Sequence, residues 1–450
     1  MTTLAKKISS KEYEANFTDI KPPLSEAAAI VEAGRCLYCY DAPCTNVCPT
    51  HIDVPAFIKK IMTGNILGSA KTILTENILG ESCGRACPVE VLCEGACVMN
   101  DKDELPIKIG QLQRYATEWR RENNKNVFDI AAPTGKSVGL IGAGPASLSC
   151  ASYLAIKGHQ TTIYEADDVP GGLDALGVAD YKLKLDDVLK EVEMIRDLGV
   201  EIQLGVRVGS DISVDDLLNK HDALFIGIGL GKTKSLDIPG SNLKGIQDTI
   251  SFVKNYKSKK PGEVQVGNHV VVVGGGNTSV DAATAAKRLG AESVRVIYRR
   301  SEAEMTAFKH EYEHAKADGA VYMWLTNPVE FVGETEIEAV KCIKMKLGDE
   351  DNSGRRKPIP IEGSEFTIPA DMVLLALGQS ADEEFISLIP GIDMSNGTIS
   401  TDPKTGKTSN PRILAGGDLI QGAKEVVDAV QAGKLASHEI DKYLSDRENR

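Results

Sequence analysis

The chain has 450 residues, 42% of them hydrophobic and 26% charged, with a formal net charge of −13. That length supports about two to four domains with cores of their own, and the composition is that of a globular protein. The acidic balance argues against nucleic acid or an anionic membrane as a main partner, because phosphate binding needs clustered Lys and Arg.

The first residues, MTTLAKKISSKEYE, hold no apolar core of the kind a signal peptide has. No apolar run approaches the ~18–20 residues that a membrane-spanning helix needs. We therefore expect a cytoplasmic protein, where thiols stay reduced and clustered cysteines are metal ligands more often than disulfides.

Eight of the ten cysteines lie between Cys36 and Cys97. They form two runs, C-x2-C-x4-C-x3-C at 36, 39, 44 and 48, and C-x3-C-x5-C-x3-C at 83, 87, 93 and 97. Three uses compete. Disulfides need an oxidising compartment. Structural zinc favours paired C-x2-C knuckles, and only Cys36–Cys39 has that form. Iron–sulfur clusters take mostly thiolates, often with a proline after the last cysteine of a run. Cys48-Pro49 and Cys87-Pro88 fit that pattern. The expectation is two [4Fe-4S] clusters, with a cysteine of one run crossing to the other cluster as in two-cluster ferredoxins. Helical segments VPAFIKKIMTGN and LGSAKTILTEN would form the scaffold. So small a domain would draw much of its stability from the metal.

A break at AAPTGK, from Ala131, precedes the first nucleotide-binding pattern. A strand at Val138–Ile141 runs into Gly142-Ala143-Gly144-Pro145-Ala146-Ser147 and then a helix. Two glycines permit the tight turn and bring backbone close to a pyrophosphate at the helix N-terminus. Ser147 stands where the third glycine is usual. A second strand, Thr161–Tyr164, ends in Glu165, placed to accept from a ribose hydroxyl. Gly171, Gly172 and Leu173 follow in DDVPGGL, where backbone can again approach a ligand. This unit reads as FAD-binding.

The pattern recurs in NHVVVVGGGNTSVDAATAAKRLGAESVRVIYRR. Strand Val270–Val273 meets Gly274, Gly275 and Gly276, then Asn277 and Thr278 open a helix. The next strand ends in Arg299 and Arg300 rather than an acid. Arginine at that place accommodates a 2′-phosphate, so the unit reads as NADP-binding, with NAD as the alternative. The competing reading is a solvated basic pair. Strands with glycines at 225–240 and 373–380, the second holding Gly378, mark crossovers between the units. Near the C-terminus, Gly416, Gly417 and Asp418 lie between a strand and a long helix. Asp418 could bind a flavin ribityl hydroxyl, and the helix could face the pyrimidine edge.

The expected architecture is α/β. An N-terminal helical iron–sulfur domain (1–130) precedes two Rossmann-like domains. The FAD domain is discontinuous (131–262 and 371–450) around an NAD(P) domain (263–370).

Over roughly residues 30–445 the chain resembles the flavin and iron–sulfur subunit of bacterial dihydropyrimidine dehydrogenase. It resembles less closely the small subunit of glutamate synthase and the flavin subunit of the electron-bifurcating NADH-dependent ferredoxin:NADP oxidoreductase. The matching stretches are RCLYCYDAPC, CPTHIDVPAFI, ENILGESCGRACPVEVLCEGAC and PIKIGQLQRYATE. The resemblance implies one cluster on Cys36, Cys39, Cys44 and Cys97. It implies another on Cys48, Cys87, Cys93 and the side chain of Gln113. Cys83 is then no ligand, although spacing alone would make it the eighth. Gln113 also favours the dihydropyrimidine dehydrogenase branch, because the bifurcating subunit has an acidic residue there. Lys182, in GVADYKLKLD, stands where the family usually has Arg, and the two are not interchangeable at a planar contact.

The resemblance implies an electron-input subunit that oxidises NAD(P)H through FAD and two clusters. No stretch of ~250 residues remains for a β/α-barrel. The expected partner is an FMN-containing barrel subunit reducing uracil or thymine, in a hetero-oligomer. The alternatives are a glutamate synthase or bifurcating oxidoreductase subunit. A disulfide reductase needs a redox-active cysteine pair, absent from GGLDALG and GGGNTSVDAA. A zinc-stabilised scaffold is the non-enzymatic reading.

Overall fold

The computed structural model describes residues 5, 7–260, 263–351, 354–395 and 397–448. They divide into two compact units. One comprises Ile20–Ala175, Lys182–Lys232 and Ser380–Arg450, and the other Met1–Asp19, Leu176–Tyr181 and Thr233–Gln379.

The first unit begins with a cluster of helices. Ser25, Asp53 and Asn65 cap Glu26–Gly34, Val54–Met62 and Ile66–Glu76 by accepting from backbone N–H groups three residues on. Val54, Phe57, Ile58 and Ile61 recur at helical spacing and are all buried. They join Ile73, Leu112 and Ala116 in one core, with Cys36, Cys44, Cys48 and Cys93 packed against it. The helices Gly80–Ala86 and Ile109–Glu122 cross where neither has a side chain. A Cβ on Gly84 would lie 3.0 Å from the Arg114 backbone N, so a larger residue there would press the two helices apart.

The rest of that unit is built on a five-stranded parallel sheet. Its order is Ile413–Ala415, Ala223–Ile226, Ser137–Ile141, Gln160–Tyr164 and Glu201–Gln203. The C-terminal strand returns to pair with Ala223–Ile226, so this half of the fold is discontinuous in sequence. Its central strands are apolar runs, as burial on both faces requires. The long helix Val426–Glu448 lies against Pro145–Ile156, and Ser149 Oγ donates to Val430 O at 2.7 Å.

The second unit has its own five-stranded parallel sheet, ordered Ile246–Asp248, Met372–Leu375, His269–Val273, Ser293–Ile297 and Val321–Met323. An antiparallel sheet of Thr326–Val332, Ala339–Glu350, Arg356–Pro360 and Phe366–Pro369 accompanies it. This unit is wider than 263–370. Met372–Leu375 lies between Ile246–Asp248 and His269–Val273 and bonds to both, so the two flanking stretches belong to this sheet. Among the described residues, no helix is long and apolar enough to cross a membrane.

Candidate functional site

All ten cysteines are free thiols. Burial pushes the Cys44 thiol up to about 11, and the neighbouring Cys36 and Cys97 add to the rise. Burial also raises Cys36, with Cys39 and Cys97 adding to it. These four therefore face one another, three from the first run and one from the second. Cys87 is raised furthest by a hydrogen bond with Cys83, then by burial and by Cys83, Cys93 and Cys48. Cys93 is raised by burial, by Glu94, and by Cys48 and Cys44. Cys48, Cys87 and Cys93 thus form a second group, which Cys83 adjoins at Cys87 and Cys44 of the first group adjoins at Cys93.

Gln113, 7% exposed, donates from Nε2 to Gly80 O at 2.7 Å. That bond fixes the amide and leaves the lone pairs of Oε1 free to accept a hydrogen bond or to bind a metal. Among the described residues, no three His, Cys, Asp or Glu side chains are arranged around a single metal ion. A four-iron cluster spreads its ligands over separate iron atoms, so two wide thiol groups suit it. Thiols that are costly to ionise alone fit a cationic core that supplies the counter-charge.

The glycine turn after Ser137–Ile141 forms a cradle. Gly142 has φ +88°, and a Cβ there would come 2.9 Å from Gly227 O. Gly144 is the extended cap of the helix beginning at Pro145. Gly172 has φ +56°, and a Cβ on it would sit 2.9 Å from Gly144 Cα. Gly417, at φ +73°, meets Ala146 Cβ in the same way at 3.1 Å. Three distant segments thus converge on one helix N-terminus with no side chain larger than a methyl group between them, which fits the pyrophosphate of FAD.

Ser147 is fully buried, and its Oγ has no hydrogen-bond partner among the described residues. Glu165 is drawn onto the turn: its Oε2 accepts from Ala143 N and its Oε1 from Asp167 N at 2.8 Å. Each oxygen retains a lone pair for a ribose hydroxyl. Burial raises Asp418 to about 6, and its Oδ1 accepts from Lys424 N at 3.2 Å. Leu173 is exposed and Lys182 half-buried. Gly378, at φ +83°, lies in the other unit, where its carbonyl accepts from Lys234 N.

In the second unit, Gly274, at φ +149°, lies against Ala376, and a Cβ there would meet Ala376 O at 2.4 Å. The ring of Tyr298 covers Gly275, and Gly276 caps the helix Asn277–Arg288, in which Thr278 follows Asn277. Gly275 O accepts from Thr306 N and Ala307 N, and Asn277 Oδ1 accepts from Phe308 N, so residues 306–308 brace the turn. The two arginines separate. Arg299 is exposed, with no ion-pair partner among the described residues. Arg300 is 4% exposed, donating to Arg356 O at 2.9 Å and to Asp351 Oδ2 at 2.6 Å. Only Arg299 is presented to solvent at the strand end.

Sequence reasoning missed a buried charge network beside Gln113. It comprises Glu81, Arg85, Arg114, Glu118, Arg121, Asp187 and Glu191. Glu191 gave a signal: it falls between Val188, Val192 and Ile195 on the buried face of Leu185–Asp197.

These sites define a class: a flavoprotein oxidoreductase with an added iron–sulfur domain. Residues 136–433 match the pyridine nucleotide-disulphide oxidoreductase family, and residues 13–125 match the family described as dihydropyrimidine dehydrogenase domain II, 4Fe-4S cluster. The chain belongs to the pyridine nucleotide-disulphide oxidoreductase family and carries FAD, NADP and 4Fe-4S domains. It is similar to the beta subunit of NADP(+)-dependent formate dehydrogenase of Moorella thermoacetica, at 39% identity over 90% of this chain and 60% of that protein. It is also similar to the small chain of NADPH glutamate synthase of Halomonas elongata, at 33% identity over 95% of this chain and 93% of that one. Among solved structures, Mycobacterium tuberculosis FprA in complex with NADPH superposes with a TM-score of 0.57. It does so at 20% identity over 70% of this chain and 86% of that one, a likeness of fold alone.

Proposed function

We propose that this chain is the electron-input subunit of a larger oxidoreductase. It oxidises NADPH and delivers electrons through FAD and two [4Fe-4S] clusters to a partner chain. The carrying observation is that the crossed thiol groups and the glycine cradle share one compact unit. When bound, FAD converts hydride chemistry to single-electron chemistry and the clusters relay single electrons. The chain's residues bind and orient. Cys36, Cys39, Cys44 and Cys97 hold one cluster, and Cys48, Cys87, Cys93 and Gln113 the other. Gly142, Gly144, Gly172, Gly417 and Asp418 seat FAD, and Arg299 receives the 2′-phosphate of NADPH. The reduced thiols suit the cytoplasm.

Exposed Leu37, Tyr40 and Val47 beside the first cysteine run offer the partner an apolar face. The whole-length relatives favour a glutamate synthase partner. The description of the iron–sulfur domain favours a second reading, an FMN-barrel partner that reduces pyrimidines. Co-purification with the native partner and an assay of NADPH oxidation distinguish them. Oxidation dependent on glutamine and oxoglutarate is the expected result. Dependence on uracil instead would select the second reading. Failure to pass electrons from NADPH to an artificial acceptor would overturn electron input altogether.

The arginines supply a separate prediction. Arg299→Ala should raise the KM for NADPH roughly 10–100-fold, the worth of a charge-assisted bond of ~1.5–3 kcal/mol, and leave that for NADH nearly unchanged. Arg300→Ala breaks a part-buried pair with Asp351 and leaves a cavity where the guanidinium packed, so it should lower the melting temperature without changing nucleotide preference. Steady-state kinetics with both nucleotides and a thermal melt check the two outcomes.

A further inference from the structure

The buried network beside Gln113 has a member outside its ion pairs. Glu81, Glu118 and Asp187 are paired with Arg85, Arg114 and Arg121. Glu191 is 3% exposed and in no ion pair among the described residues. Its two oxygens accept from Glu81 N at 2.8 Å and Ser82 N at 3.1 Å, at the start of the Gly80–Ala86 helix. Gly80 is the residue whose carbonyl holds Gln113. A carboxylate from the flavin half thus grips the short helix that positions the proposed cluster ligand.

The charges facing Glu191 come from every element around it. They are Glu81 on the gripped helix, Asp174 beside the Gly172 turn, and half-buried Arg120 on the Ile109–Glu122 helix. Asp187, one turn earlier on its own helix, is held by Arg85. Burial, with Glu81 adding to it, lifts Glu191 to about 8, within reach of a neutral to mildly alkaline medium.

We propose that Glu191 is a positioning residue that takes up one proton when the cluster on Cys48, Cys87, Cys93 and Gln113 gains one electron. The proton comes from solvent and the electron from NADPH. The charge added to the buried site is cancelled, which lowers the cost of electron entry in a low dielectric. The inference rests on the proposed cluster reading.

Potentiometric titration monitored by electron paramagnetic resonance, between about pH 6 and pH 10, tests it. One cluster's midpoint potential should be level on the acid side and fall above a break by up to about 59 mV per pH unit, the equivalent of one proton per electron. The other cluster should show no break. In Glu191→Gln, which retains one acceptor oxygen, the break should vanish while iron content stays at the wild-type value. The wild-type titration is decisive even where the variant folds poorly. Two level potentials, or a break that persists in Glu191→Gln, would overturn the proposal. Wild-type protein without reducible iron would overturn the cluster reading beneath it.

Discussion

Cys97→Ser removes the same cluster as Cys36→Ser, although the two residues stand in different sequence runs. Each variant should lose roughly half of the iron and the same one of two resonance signals, as expected for ligands of a single four-iron cluster. Cys48→Ser and Cys87→Ser should remove the other signal. The prediction follows from the grouping of Cys36, Cys44 and Cys97, and of Cys48 with Cys87 and Cys93. The expected effect is large because these thiols pack against the core of the N-terminal helices, so losing a cluster also loosens the fold. Gln113→Ala should weaken the second cluster, and Cys83→Ser should leave both. Cys83 is 2% exposed and hydrogen-bonded to Cys87, so its serine variant tests ligation against mere contact. Iron loss in Cys83→Ser, with none in Gln113→Ala, would reverse the assignment.

Gly433→Ala should yield protein without flavin. A Cβ at Gly433 would lie 2.0 Å from Ala146 O and 3.0 Å from Cys150 N. Both are backbone atoms of the helix that starts at the glycine cradle, so no rotamer relieves the clash. The helices must separate, at an overpacking cost of about 1–3 kcal/mol or more. Separation moves Ala146 and Gly417, which close the cradle from two sides. Gly34→Ala is the control: nothing lies within 4 Å of its Cβ position, and a surface change of this kind stays within about 0.5 kcal/mol. Flavin content after purification and a thermal melt measure both. Normal flavin content in Gly433→Ala would contradict the cradle.

Much of this was legible in the sequence because it rests on local rules. Strand, glycine turn and helix succeed one another within a few residues at Ser137–Ile156 and His269–Arg288, and each step has a composition signal. The discontinuity of the flavin half was also legible, because the pattern returns at Gly416–Asp418. What escaped depends on pairing between distant segments. The strand Met372–Leu375 reads as apolar in either sheet, and only its hydrogen bonds assign it to the second unit. Arg299 and Arg300 are neighbours with the same chemistry, yet Asp351, 51 residues on, draws one inward. The cysteine runs are a similar case. Spacing groups them by run and only the resemblance put Cys97 with the first, where Cys36 and Cys44 now have it as a neighbour.

The content of the anaerobically purified chain tests the central claim most directly. Metal, acid-labile sulfide and flavin are measured on one sample. The account predicts about eight iron and about eight sulfide per FAD, the content of two four-iron clusters. Zinc in place of iron, or flavin with no more than about four iron, would contradict it.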